Sequence, residues 1–105
     1  MIVKICGLKH EVIIKKLKAV GDDVTDNTFR YGYIDHARTT IKLNIKMSDE
    51  QRFATFIHEC IHGLLLLSHA DSLITEEEDF IEILEPHLVA FIRDNWKLLK
   101  KLGGM

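Results

Sequence analysis

The chain has 105 residues, 47% of them hydrophobic and 29% charged, with one proline and six glycines. This excludes a disordered, collagen-like or low-complexity polymer, and the length fits a single domain over residues 1–105. Fourteen basic against sixteen acidic side chains give a formal net charge of −2, which argues against a broad nucleic-acid footprint and leaves six histidines as the unusual component.

The segment Met1–Gly7 lacks the charged stretch, long apolar run and small-residue cleavage site of a secretory signal. The longest strictly apolar run is Leu64–Leu67, far short of the roughly 20 residues that span a bilayer. A soluble, cytoplasmic protein without membrane or nucleic-acid partners is expected, with Cys6 and Cys60 as reduced, mostly buried thiols.

The first half reads as extended chain. Ile2–Cys6 is a short apolar run ending at Gly7, and His10–Leu17 is rich in Val and Ile, which suits a strand, with a short helix as the alternative. Gly21-Asp22-Asp23 signals a turn. Phe29–Asp35 carries two tyrosines and an isoleucine. In Thr40–Lys46, Ile41, Leu43 and Ile45 alternate with Lys42, Asn44 and Lys46, the period of a half-buried strand. These last two segments are spaced to pair as a hairpin around His36–Thr39.

The second half carries helical periodicity. Ser48 with Gln51 forms a capping box, after which Phe53, Phe56, Ile57, Cys60, Ile61, Leu64 and Leu65 make one apolar face running to about Ser68. Ala70-Asp71-Ser72 separates this helix from a second one. Thr75 and Glu78 predict its capping box, and Ile81, Leu84, Leu88, Phe91, Ile92 and Leu99 its buried stripe. Lys97, Lys100 and Lys101 suit a helix C-terminus, and Pro86 predicts a kink.

The strongest chemical signal is His58-Glu59-Cys60-Ile61-His62, the pattern HExxH on a predicted helix. Residues i and i+4 share one helical face, so two imidazoles at this spacing can bind one zinc ion together. Glu59, beside the first imidazole, then reaches a water activated by the ion, as a general base. A third protein ligand is needed. His69 lies seven residues beyond His62, roughly 10 Å along a helix, which is too far. The longer pattern HExxHxxGxxH is not met either, because Leu65 and Ser68 stand at its glycine and histidine. Glu78, Glu82 and Glu85 are spaced by four and three and share one face of the second helix. Glu78 is claimed by the predicted capping box and Glu85 abuts Pro86. Glu82 is therefore preferred as the ligand, then Glu85, then Glu78.

Thr55–His62 resembles the active-site helix of small zinc metallopeptidase-like proteins of phages and prophages, related to the ImmA/IrrE group and more distantly to gluzincins such as thermolysin. The resemblance extends over roughly residues 29–95, where acidic residues, a glutamate and an apolar run end at Ile92-Arg93-Asp94-Asn95. It implies a minimal zincin-like α+β fold: a small antiparallel sheet of three or four strands in the N-terminal half, packed on two C-terminal helices. It also implies Zn2+ held by His58, His62 and Glu82, with Glu59 catalytic. The position of Glu85 and Pro86 departs from such proteins, where small or polar residues are usual.

Tyr31, Tyr33, His36 and His69 are the candidate oxyanion donors, while His10 and His87 have no partner at ligand spacing and read as structural. Lys15, Lys16 and Lys18 read as a solvated face. The sheet edge near the motif is a candidate for binding an extended peptide by strand addition. The function expected is hydrolysis of a peptide bond in a peptide or protein substrate. The alternative is a non-catalytic zinc-binding regulatory or interaction protein, which predicts a fourth protein ligand or no open cleft.

Overall fold

A computed structural model describes residues 1–18 and 29–104, so the Gly21-Asp22-Asp23 turn lies outside the described residues. Strands β1 (Ile2–Ile5) and β2 (Leu8–Lys15) form an antiparallel hairpin in which Ile5 opposes Leu8. Its two-residue loop, Cys6-Gly7, has positive φ at both positions, 50° and 80°. That is the backbone twist a tight hairpin demands, and glycine adopts it without steric cost. The turn leaves Cys6 exposed, which corrects the expectation of a buried thiol.

Strands β3 (Gly32–Asp35) and β4 (Thr40–Asn44) form the second hairpin, around His36–Thr39 as the spacing predicts. Asp35 Oδ1 accepts a hydrogen bond from the Arg38 amide at 3.1 Å and holds that turn. The two hairpins join through β2 and β4, which run parallel, giving the order β1-β2-β4-β3. The sheet is therefore mixed, not purely antiparallel. Parallel register places Val12 beside Ile41 and Ile14 beside Leu43, so the most apolar residues of both strands meet on one face. Ile5, Val12, Ile41, Leu43 and Met47 form the buried core there.

Helix α1 (Asp49–Leu67) lies across that face, against β1, β3 and β4, with Phe56, Cys60 and Leu67 packed on the core. Ser48 Oγ accepts from the Gln51 amide at 3.2 Å, the predicted N-cap. The alternation of β4 fails at its end: Asn44 is buried and Ile45 exposed. Asn44 earns its burial through hydrogen bonds, donating from Nδ2 to the Arg30 carbonyl at 2.8 Å and accepting at Oδ1 from the Lys46 amide at 3.0 Å. It thereby pins residues 29–31 beside α1.

After a 3-10 turn at Ala70–Leu73, helix α2 (Glu77–Asp94) folds back antiparallel on α1. The far end of the pair is closed by Arg93 Nη1 and Glu50 Oε1 at 3.2 Å. Pro86 does not end α2; the break comes at Asn95, and helix α3 (Trp96–Leu102) follows. The expected buried stripe of α2 holds at Ile81 and is joined by Val89, whereas Leu84 and Phe91 are exposed. The reason is layering: α2 packs on α1 and α3, so α1 occupies the middle and α2 has one covered side. Among the described residues no helix is long and apolar enough to cross a membrane.

Two glycines set the approach of α1 to the sheet edge. A Cβ at Gly63 would meet Ile5 Cδ1 at 3.0 Å and Ile34 Cδ1 at 3.1 Å. A Cβ at Gly32 would meet the Lys42 carbonyl oxygen at 2.7 Å, with Leu43 and Thr55 methyl carbons at 3.1 Å. The Lys42 oxygen belongs to the β3–β4 ladder and cannot yield as a side-chain tip can. Gly32→Ala is expected to destabilise the fold by about 1–3 kcal/mol, read as a lower urea midpoint; an unchanged midpoint would show that β3 is free to move away from α1.

Candidate metal centre

The HExxH residues lie in the middle of α1, on the side that meets α2. One turn of helix brings His58 and His62 together, with ring centroids 5.1 Å apart. Antiparallel packing then delivers the first turns of α2 to them. Glu78 Oε1 lies 2.7 Å from His58 Nε2, and Glu78 Oε2 lies 2.9 Å from His62 Nε2. One carboxylate thus spans both imidazoles, and the ligand atoms of His58, His62 and Glu78 lie within 4.8 Å of one another.

Glu82 does not occupy that position, although it was the ligand favoured by the sequence. It sits one turn further along α2, lines the adjoining cleft, and makes no ion pair with either imidazole. The capping box that seemed to engage Glu78 does not form: α2 begins at Glu77, its N-cap is Glu76, and no side chain caps it. Glu78 is therefore free to face the histidines. The three glutamates do share one face, as their spacing predicts, and the choice among them shifts by one turn.

The outer nitrogens of the imidazoles also meet carboxylates. Glu77 Oε2 lies 2.7 Å from His62 Nδ1, and Glu85 Oε1 lies 3.5 Å from His58 Nδ1. A carboxylate on Nδ1 fixes ring orientation and turns the Nε2 lone pair inward, the usual support of a metal-binding histidine. His62 thus meets a carboxylate at each ring nitrogen, Glu77 at Nδ1 and Glu78 at Nε2, and a proton or a cation on Nε2 satisfies the second contact. Five glutamates (59, 77, 78, 82 and 85) surround two imidazoles, so even two imidazolium charges would leave the group acidic. Two imidazole nitrogens and one carboxylate, backed by further carboxylates, fit a divalent cation of the zinc type.

Glu59 is buried, 9% exposed, and opens onto the same cleft. Burial pushes its carboxyl above the ordinary range. His62 and His58 pull against that shift, Glu78 adds to it, and the Ile34 backbone amide opposes it. Cys60, on the core side of the helix, is raised to about 12 by burial and then by the Glu59 charge, which makes it an inert thiol.

The cleft is about 790 Å³ and is bounded by α1, α2 and the chain leading into β3, including Phe29, Arg30 and Tyr31. The oxyanion candidates separate here. Tyr31 lines the cleft, whereas Tyr33 does not; it stacks under the Arg30 guanidinium at 3.8 Å. His36 is exposed in the β3–β4 turn, and His69 is exposed beyond the end of α1 with φ 63°. His10 is buried in the sheet, its Nδ1 3.0 Å from the Leu8 carbonyl, as a structural histidine should be. Arg30, Gln51 and Glu77 join the site without a signal in the sequence, since none stands at a motif position.

No protein-family model matches the chain, and no curated protein or solved structure matches it either.

The geometry predicts how metal affinity responds to substitution. Glu78→Ala should weaken zinc binding by about 100-fold or more in competition titrations, Glu77→Gln by about 10–100-fold, and Glu82→Ala by less than about threefold. A larger loss for Glu82→Ala than for Glu78→Ala would return the ligand role to Glu82. A second measurement is thiol accessibility: Cys6 should react rapidly with a thiol reagent in the folded protein and Cys60 only on unfolding. Equal rates for the two thiols would contradict the packing of α1 on the sheet.

Proposed function

We propose that the protein is a zinc-dependent peptidase acting on a peptide or protein substrate. The observation that carries this reading is the convergence of His58, His62 and Glu78 beside an open cleft, with the buried Glu59 carboxylate on the same wall. A set of three protein ligands facing a cleft is the pattern of a catalytic ion; structural zinc is closed by four. A zinc ion held there would polarise a scissile carbonyl and make a water acidic enough to lose its proton near neutral pH.

The residues of the chain divide the remaining work. Glu59, held above the ordinary carboxylate range, accepts the proton of the attacking water and returns it to the leaving nitrogen. Tyr31 is the candidate oxyanion donor in the cleft. The substrate track is the open edge of β3. Asn44 donates to the Tyr31 carbonyl, so residues 31, 33 and 35 exchange hydrogen bonds with β4. Gly32 and Ile34 then turn their backbone groups outward, and the Gly32 groups and the Ile34 carbonyl are left open to an extended peptide adding as a further strand. The edge and Glu59 adjoin, because the Ile34 amide bears on the Glu59 carboxylate. The free thiols of Cys6 and Cys60 accord with a reducing, cytoplasmic setting.

The test is Glu59→Gln with zinc loaded, assayed on a fluorescence-quenched peptide library. The variant should bind zinc as the parent does and lose cleavage by about 10²-fold or more. A carboxyl raised by folding contributes stability fully below its unfolded value of 4.5 and loses it as pH rises through the folded value. At neutral pH the metal-free Glu59→Gln protein should therefore be at least as stable as the parent, which separates lost chemistry from lost fold. Undiminished cleavage by the variant would sink the peptidase reading, and zinc binding with no cleavage by the parent would favour the non-catalytic alternative.

A further inference from the structure

The residues placed to hold a cation come from two parts of the fold that share little else. His58, Glu59 and His62 stand on α1, whose other side belongs to the core of Ile5, Val12, Ile41, Leu43 and Met47, with Phe56, Cys60 and Leu67 packed on it. Among the described residues, none from α2 belongs to that core. Glu77, Glu78, Glu82 and Glu85 all stand on the first half of α2, and of residues 77–85 only Ile81 is buried.

Local structure marks off the same segment. α2 has no side-chain cap at Glu76, and it is reached from α1 through His69, at φ 63°, and a 3-10 turn. Its other boundary is Pro86, which cannot donate to the Glu82 carbonyl and crowds it, so the hydrogen-bond ladder is interrupted there. Beyond Pro86 the second half has ties of its own. Val89 is buried, and Arg93 pairs with Glu50 at 3.2 Å and lies over the Phe53 ring at 5.0 Å. Residues 77–85 are thus a short helical arm with a linker at one end and a proline at the other.

Charge sets when this arm lies against α1. Its four carboxylates gather with Glu59 about two imidazoles, and carboxylates outnumber the rings even when both rings are protonated. Residues 19–28 contain no Lys, Arg or His, so they bring no cation to the seam. Like charges held this close push the arm outward, and one buried isoleucine works against them. We propose that residues 77–85 are a metal-dependent latch, which rests on the metal centre of the peptidase reading and not on hydrolysis. The latch closes on α1 while a divalent cation joins Glu78 to His58 and His62, and it swings away about Pro86 when the cation leaves. The two histidines stay aligned on α1 and are the first contact of a returning ion. Glu78, Glu82 and Glu85 line the cleft, so opening the latch removes one wall, and the substrate site exists only in the metal-bound protein.

Amide hydrogen exchange of the full chain, zinc-loaded and after chelation, tests this. Amides 80–85 should exchange at least about tenfold faster without zinc, whereas those of β2, β4 and residues 89–94 should change by less than about threefold. Cys60 should stay unreactive toward a thiol reagent in both states, because it packs on the sheet core and not on α2. Glu82→Gln with Glu85→Gln spares the three ligands and removes two of the like charges. In this variant the metal-free protein should protect amides 80–85 to within about threefold of the zinc-loaded parent. Equal protection of the arm with and without zinc, loss of protection across the sheet as well, or an arm that opens as far in the double variant would each overturn the latch. No substrate enters these measurements. An arm that closes on zinc in a protein that cleaves no peptide would support the latch and refute the peptidase reading. A protein that cleaves peptides with its arm closed in both states would refute the latch alone, and one that binds no zinc would overturn both.

Discussion

The structure depends on a concentration of negative charge at the seam between α1 and α2. Four glutamates from α2 and one from α1 gather about two imidazoles, and a single carboxylate touches both rings at 2.7 and 2.9 Å. Two like charges about 4–5 Å apart cost about 3–4 kcal/mol at an effective dielectric near 20, and less where they are exposed, as Glu78 and Glu82 are. A domain of this size has a total stability of about 5–15 kcal/mol. An acidic seam of this kind is a burden as a purely structural contact, and it becomes favourable once a cation lies within it. The same charges explain why helix packing is lean here, since a seam given over to carboxylates has few positions left for apolar contact.

The sheet serves this seam indirectly. Its inner face clamps α1 through Ile5, Ile34, Ile41 and Leu43, and the absence of side chains at Gly32 and Gly63 lets helix and edge strand approach closely. That approach decides the environment of Glu59. The carboxylate is pressed between α1 and β3, with the Ile34 amide in reach and little water around it. Asn44 extends the same arrangement to the cleft wall, because its hydrogen bonds hold the chain at Arg30 and Tyr31. A polar residue buried at the end of a strand thus positions aromatic and basic groups fourteen residues earlier in the sequence.

Much of this was legible in the residues alone. Helix α1, its Ser48 cap and the pairing of His58 with His62 follow from local spacing, and local spacing is what a helix preserves. The β3–β4 hairpin was equally local. What escaped was set by tertiary contact. Alternation told which side of β2 and β4 would be buried but not that the strands would run parallel, since the period of two carries no direction. Asn44 and Ile45 exchanged their expected environments because the strand ends there and a hydrogen-bond partner lies in another segment. The choice of Glu78 over Glu82 turned on one capping hydrogen bond. Thr75 and Glu78 have the spacing of a capping box, but the N-cap of α2 falls one residue later, at Glu76, and the carboxylate assigned to the backbone faces the imidazoles instead.

The position of α1 between sheet and α2 also accounts for what is left outside. In a two-layer domain each amphipathic element finds one partner, and α1, in the middle, finds two. α2 is then a third layer, and among the described residues nothing packs beyond it. Its inner side must accommodate the glutamates, so the apolar area it can bury within the chain is confined to residues such as Ile81 and Val89. The remaining apolar residues, Phe80, Ile83, Leu84 and Phe91, fall on the outer side because the inner one is taken by Glu78, Glu82 and Glu85. A chain of 105 residues that commits one helical face to carboxylates is short of core by the same amount.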